Sequence, residues 1–165
     1  MRASFWLPLL AVAATVGSGI MAGLFFAFST SVMRALSSVT PEAGLVVMQR
    51  INVAIVNPLF LLAFLGTGLV SVAVGGLALL TFDRAGRGWL IAGALAYLVG
   101  VTGVTAVFNV PLNNALQAVK PDTAPVVWPA YVEAWTPWNH VRTVTALLAT
   151  VCFAVGLARA SGVAW

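Results

Sequence analysis

Four stretches of this chain carry no charged residue at all: residues 5–33, 59–82, 88–119 and 143–158. A bilayer's hydrocarbon core of about 30 Å takes about 20 helical residues, so the first three suffice outright. The fourth, with 16 residues, reaches only about 24 Å at the helical rise. It must borrow its own start, which brings His140 and Arg142 to the headgroup boundary. An arginine there costs a few kcal/mol unless it is paired or reaches water. Hydrophobic residues make up 61% of the chain and charged ones 7%, against about 25% charged in soluble domains. The expectation is an all-α, four-helix transmembrane bundle with short interfacial helices on one side, built as a single domain over residues 1–165. The uncharged N-terminal stretch continues to Met33, far past a signal peptide's apolar region of about 7–15 residues. It is read as a retained first span.

Proline marks the corners. Thr40-Pro41-Glu42 offers a capping hydroxyl, a proline at the first helical position and an acid in the first turn. Pro58 follows Asn57 and should kink or restart the second helix. Residues 41–56 then form an interfacial or half-inserted helix. Thr136-Pro137 repeats the capping signal, placing the start of the fourth helix there, with residues 129–135 a separate short aromatic helix near the headgroups. Pro121 to Pro129 reads as the one substantial loop, and Asp83 to Gly88 as a tight charged turn on the other side. Arg2, Arg84, Arg87 and Arg159 lie at that side; Arg34, Arg50, Lys120 and Arg142 lie at the opposite one. The positive-inside count is tied. If Arg50 and Arg142 belong to a site rather than to loops, both termini are cytoplasmic. The alanine- and valine-rich composition suggests a bacterial cell membrane.

Several chemistries are excluded by what is missing. Cys152 is alone and mid-span, so there is no disulfide framework and no thiolate metal set; it reads as a small core residue. One histidine rules out a bis-histidine haem within the chain and multi-histidine copper or iron sites. Glu42, Asp83, Asp122 and Glu133 are too scattered for a carboxylate-bridged di-iron centre. No metal and no cofactor are expected, and no nucleic-acid partner. Glycines at 19 and 23, 66 and 68, 75 and 76, and 100 and 103 permit close helix approach, within the bundle or at a seam between copies of the chain.

The scarce polar residues are not scattered. The first span ends near Arg34, and the second begins after Gln49, Arg50, Asn52 and Asn57. The third runs into Asn109, Asn113 and Asn114, and the fourth opens with Trp138, Asn139, His140 and Arg142. Four crossings put all of these at one side. Asn109 and Asn113 stack on one helix face, as do Trp138 and Arg142. Trp128, Tyr131, Trp135 and Trp138 form an aromatic stripe beside them. Such tryptophans also serve as an interfacial belt, and single asparagines as interhelical glue worth about 0.6–2 kcal/mol each. This many amides together with two guanidinium groups exceeds what four helices need for glue, and a pocket is expected. It offers one imidazole, fixed cations, amide donors and flat walls, which suit proton abstraction beside a carbonyl with stabilisation of the oxyanion.

Gly23-Leu24-Phe25-Phe26-Ala27-Phe28, Met48-Gln49-Arg50-Ile51-Asn52, Phe108-Asn109-Val110-Pro111-Leu112-Asn113-Asn114 and Trp135-x-x-Trp138-Asn139-His140-Val141-Arg142-Thr143 occur in that order. Together they resemble the anthrone oxygenase-like family of small integral membrane proteins, over nearly the whole chain. The resemblance places Asn109, Asn113, Asn139 and Arg142 in the family's polar set. It implies oxidation of an anthrone to an anthraquinone by O2 without a cofactor, the partners being an apolar aromatic molecule, O2 and the lipid bilayer. His140 as the base is read from the residues themselves. Arg142 with Asn139 or Asn109 would hold the oxyanion, Trp135 and Trp138 the rings, and Gln49, Arg50, Asn52 and Asn113 the rest of the substrate. The rival reading is a non-catalytic bundle that binds a quinone, a lipid or a partner subunit; a one-histidine haem protein is a more distant second.

Overall fold

The computed structural model describes residues 3–80 and 86–160. Among these the chain is helical with no strand, and four helices are long and apolar enough to cross a membrane. They are α1 (Trp6–Ser37), α3 (Pro58–Leu80), α4 (Arg87–Gln117) and the long α5 (Ala124–Ala160). The fifth, α2 (Pro41–Ala54), lies between α1 and α3.

Both corners around α2 are made as their sequences dictate. The Thr40 hydroxyl accepts from the Ala43 N–H at 3.4 Å, with Pro41 opening the helix. Asn57 caps α3, its Oδ1 accepting from Phe60 N–H at 3.0 Å, while its amide donates back to the Ala54 and Ile55 carbonyls. The expected charged turn before α4 falls largely outside the described residues. Within it, Gly86, just before α4, has φ +91°, a region that only glycine enters freely. A side chain there would also strike the Gly156 carbonyl.

One boundary differs from the sequence expectation. Thr136-Pro137 does not begin a helix, and residues 129–135 are not separate: a single helix runs from Ala124 to Ala160 through Pro129 and Pro137. The two prolines, eight residues apart, are both exposed. The carbonyls they deprive of an N–H lie on that exposed side rather than in the core, so the helix continues rather than breaks.

Three of the spans contain wide π turns, with i→i+5 bonding: Phe28–Val32 in α1, Leu62–Gly66 in α3, and Ala96–Gly103 and Thr105–Asn109 in α4. One is pinned from outside, the Tyr97 hydroxyl donating to the Phe64 carbonyl at 3.0 Å. Such turns recur at functional sites, and two of these carry residues of the polar cluster.

The molecule has two cores. The lower one gathers Met21, Phe25, Tyr97, Val101 and Phe153 with many alanines from all four spans. The upper one gathers Met33, Leu45, Met48, Leu116, Trp128, Tyr131 and Trp135. Outward-facing large apolar side chains run from Trp6 to Phe26 on α1, from Leu59 to Leu80 on α3, from Trp89 to Val110 on α4 and from Val141 to Val151 on lower α5. The belt is dense up to the level of Phe26, Leu59, Val110 and Val141, and beyond it only single valines face outward: Val39, Val47, Val53, Val56 and Val126. At the helical rise, α1 is about 48 Å long and α5 about 56 Å, well beyond a 30 Å hydrocarbon core. The upper core stands above the belt as a cap formed by α2, the ends of α1 and α4, and the first third of α5.

Candidate functional site

The scarce polar side chains converge where the belt ends and the cap begins. Asn139 and Arg142, three residues apart on α5, share the face that looks into the bundle. Asn139 is fully buried. Its amide donates to the Phe25 carbonyl at 2.8 Å and to the Ser29 hydroxyl at 2.7 Å. Both amide hydrogens are spent on α1, which fixes the direction of Oδ1. That oxygen accepts from Arg142 Nη2 at 2.8 Å. Arg142 Nη1 reaches Thr105 Oγ1 on α4 at 3.4 Å; this hydroxyl donates to the Val101 carbonyl, which leaves its lone pairs free to accept.

The guanidinium lies over the Phe25 ring at 4.4 Å and the Trp135 ring at 5.1 Å. Phe25 belongs to the lower core and Trp135 to the upper, so the cation is held between the two. It is 6% exposed, its Nε has no partner, and among the described residues no carboxylate pairs with it. A buried charge without a counter-ion is costly, and cation–π contacts of about 0.5–2 kcal/mol each offset only part of that. In front of it lies a cavity of about 50 Å³ bounded by Leu24, Phe25, Phe28, Ile55, Phe60, Trp135, Asn139 and Arg142.

Trp135 is fixed by the cap. Asn113 Oδ1 accepts both from its indole N–H at 2.8 Å and from the Tyr131 hydroxyl at 2.9 Å. Phe28, Tyr131 and Trp128 pack around it in a chain of ring contacts. Asn109 is buried and donates to the Trp135 carbonyl at 3.4 Å, and its own oxygen has no partner. Asn52 approaches the Tyr131 hydroxyl, with its amide nitrogen buried and unpartnered. Gly44 on α2 lets Trp128 press against the helix: a Cβ there would lie 2.7 Å from the indole and from the Leu36 carbonyl.

Other residues singled out from the sequence sit elsewhere. Gln49 donates to the Leu116 and Val119 carbonyls, both at 2.9 Å, and so finishes the open end of α4. Arg50 is exposed in a separate surface groove of about 390 Å³ with Val46 and Gln117. Trp138 is half-buried and stacks on Phe108, with centroids 3.5 Å apart and planes within 6°, away from the cavity lining. His140 is exposed; its Nδ1 lies 2.9 Å from Ser29 Oγ. It reaches the cluster only through that hydroxyl, which also touches Thr143 Oγ1 at 3.1 Å. Among the described residues no three of His, Cys, Asp and Glu come together as metal ligands.

Ser29 and Thr105 were missed in the sequence because hydroxyls pass as members of an apolar run. Their signal was available: Ser29-Thr30-Ser31 is the one block of consecutive hydroxyls in α1. Each lies in a π turn, which sequence periodicity does not announce.

The chain matches the anthrone oxygenase family over residues 49–152. It belongs to the anthrone oxygenase family. The matched region runs from Gln49 to Cys152 and holds every cluster residue contributed by α2, α4 and α5. Ser29 and Phe25, contributed by α1, lie before it. No curated protein and no solved structure matches the chain.

Proposed function

We propose that this member of the family is a membrane-embedded, cofactor-free oxygenase that converts an anthrone-like polycyclic aromatic into the quinone with O2. The observation that carries the reading is Arg142: a buried cation with no counter-ion among the described residues, an unpartnered Nε, two aromatic rings against it and a cavity in front of it. What this arrangement lacks is a flat anion. An anthrone supplies one, because loss of a methylene proton leaves a charge that rests on the oxygen across the ring, as an aromatic alkoxide.

The chemistry then balances without a bound cofactor. The carbanion carbon gives electrons to O2 and forms a C–O bond, and a proton completes a hydroperoxide. Loss of the second methylene proton with cleavage of the O–O bond gives the new carbonyl and water. Anthrone and O2 become anthraquinone and water. Arg142 stabilises the oxyanion, Asn139 positions Arg142, and Trp135 with Phe25 flanks the rings. The unpartnered Asn109 oxygen and Asn52 amide suit ring hydroxyls of the substrate. His140 receives the proton through Ser29. The substrate and O2 both partition into lipid, which fits a site at the top of the apolar belt. On this reading the termini are cytoplasmic and the cap lies on the outer face of a bacterial cell membrane.

The test is oxygen uptake by the purified protein in lipid with dithranol or emodin anthrone, the spontaneous rate subtracted. Turnover by the native protein and loss of at least about 100-fold in Arg142→Ala, with the variant folded and inserted, is the expected result. Equal rates for both would refute the assignment; tight binding without turnover would make the protein a quinone or lipid binder instead.

A further inference from the structure

The cavity before Arg142 is too small for the molecule proposed to fill it. Its volume of about 50 Å³ accommodates water or O2, whereas sites for drug-sized ligands span about 300–1,000 Å³. A wall must therefore move, and the walls are not equally free to do so. Above, Trp135 is bound through its indole to Asn113, which also holds Tyr131. On the α5 side, Asn139 is tied to α1 by two short hydrogen bonds. The remaining wall consists of Leu24 and Phe28 of α1 facing Ile55 and Phe60, and here the restraints are slight.

Residues 55–57 are the corner where α2 has ended and α3 has not begun. The corner is held by the Asn57 side chain and short local turns. Phe60 follows in the first turn of α3, stacked on Phe64 at 5.7 Å with planes 6° apart. Phe64 itself is buried in a π turn whose carbonyl is anchored by Tyr97. Phe60 thus stands on a fixed base and belongs to a short turn above it. Outside, the corner presents Val56, Leu59 and Leu62, at 64%, 76% and 70% exposure, level with the top of the belt. Apolar side chains at that depth face lipid tails.

We infer that a flat aromatic ligand reaches Arg142 sideways from the bilayer, between α1 and the corner of residues 55–60, and that Phe60 is the side chain that gates this passage and sets the size it admits. The inference rests on the function proposed above only for the seat at Arg142; the passage is a property of the wall. Movement of Phe60 away from Leu24 and Phe28 widens the partly open cavity toward the lipid without breaking any hydrogen bond of the Arg142 cluster.

Stopped-flow quenching of tryptophan fluorescence by 1,8-dihydroxyanthraquinone, with the full chain in lipid nanodiscs, tests the passage apart from catalysis. Phe60→Trp should slow association about tenfold, the size of one overfilled contact on the path. Phe60→Ala should accelerate association and raise the relative kcat/KM for a bulky anthrone over the unsubstituted one. Ile55→Ala and Leu24→Phe, widening and narrowing the same gap, repeat the two signs should a Phe60 variant fail to fold. Unaltered association in all of these, with binding still lost in Arg142→Ala, would overturn the passage and leave the seat standing. Association that follows the gap variants while Arg142→Ala binds normally would uphold the passage and remove the seat.

Discussion

The two cores of this protein solve the same packing problem by different means. In the lower core seven of sixteen described buried residues are alanines, set around Phe25, Phe64, Tyr97 and Phe153, with Gly100 of α4 so close to α5 that a Cβ would run into the Thr145 side chain. The upper core is built from Trp128, Tyr131, Trp135, Met33 and Met48. The difference is in the solvent. Among lipid tails a helix gains little by hiding apolar surface, so association depends on close approach and van der Waals contact. Above the belt, water makes burial of large aromatic surface favourable, but the indole and phenol groups then need partners, and Asn113 supplies both. The site lies where these regimes meet, with one guanidinium between a ring of each core. Arg142 touches both cores, Phe25 of the lower and Trp135 of the upper, while its acceptors, Asn139 and Thr105, belong to neither.

The comparison can be broken most severely at the shared wall. Trp135→Ala should cost about 3–5 kcal/mol and abolish near-ultraviolet circular dichroism of the cap while far-ultraviolet helicity persists; loss of both together would mean the cores are one cooperative unit. Arg142→Lys keeps the charge but not the fork or the stacking. It should lower anthrone turnover by about 100-fold in the oxygen-uptake assay, and full activity would show that charge alone suffices. Asn113→Leu leaves two buried donors unsatisfied and should cost about 1–3 kcal/mol, read as a lower melting temperature with altered tryptophan emission.

The glycines sharpen the contrast at smaller scale. Gly44→Ala in the cap and Gly100→Ala in the bundle should each destabilise by about 1–3 kcal/mol through overpacking. At Gly23 an added Cβ meets nothing within 4 Å, and Gly23→Ala should stay within about 0.5 kcal/mol in the same thermal unfolding series. A large loss there would reveal a contact made by a second copy of the chain.

Local chemistry was legible wherever a residue's partner lies within a few positions. Thr40-Pro41 and Asn57-Pro58 cap α2 and α3. The same kind of signal at Thr136-Pro137 misled, because a threonine and proline look alike at a cap and within a continuous helix whose proline is exposed. The difference lies in whether the orphaned carbonyl is buried, and burial is not a local property. Likewise Gln49, Asn57 and Asn139 are all amides near one membrane face. Gln49 and Asn57 are used up on helix ends, and only Asn139 turns its oxygen to Arg142.

By itself the sequence determined the number of long apolar helices, the corners at Thr40 and Asn57 and the end of the bundle at which polar residues gather, since each follows from run length, capping or alternation of crossings. The tertiary structure decided which of those residues meet. Helix rotation, reset by π turns in α1 and α4, brings Ser29 and Thr105 to the cluster and leaves Arg50 in a separate groove. A side chain's partners on another helix depend on how the two rods turn against each other, and that angle is set by packing across the whole bundle rather than by any neighbour in the chain.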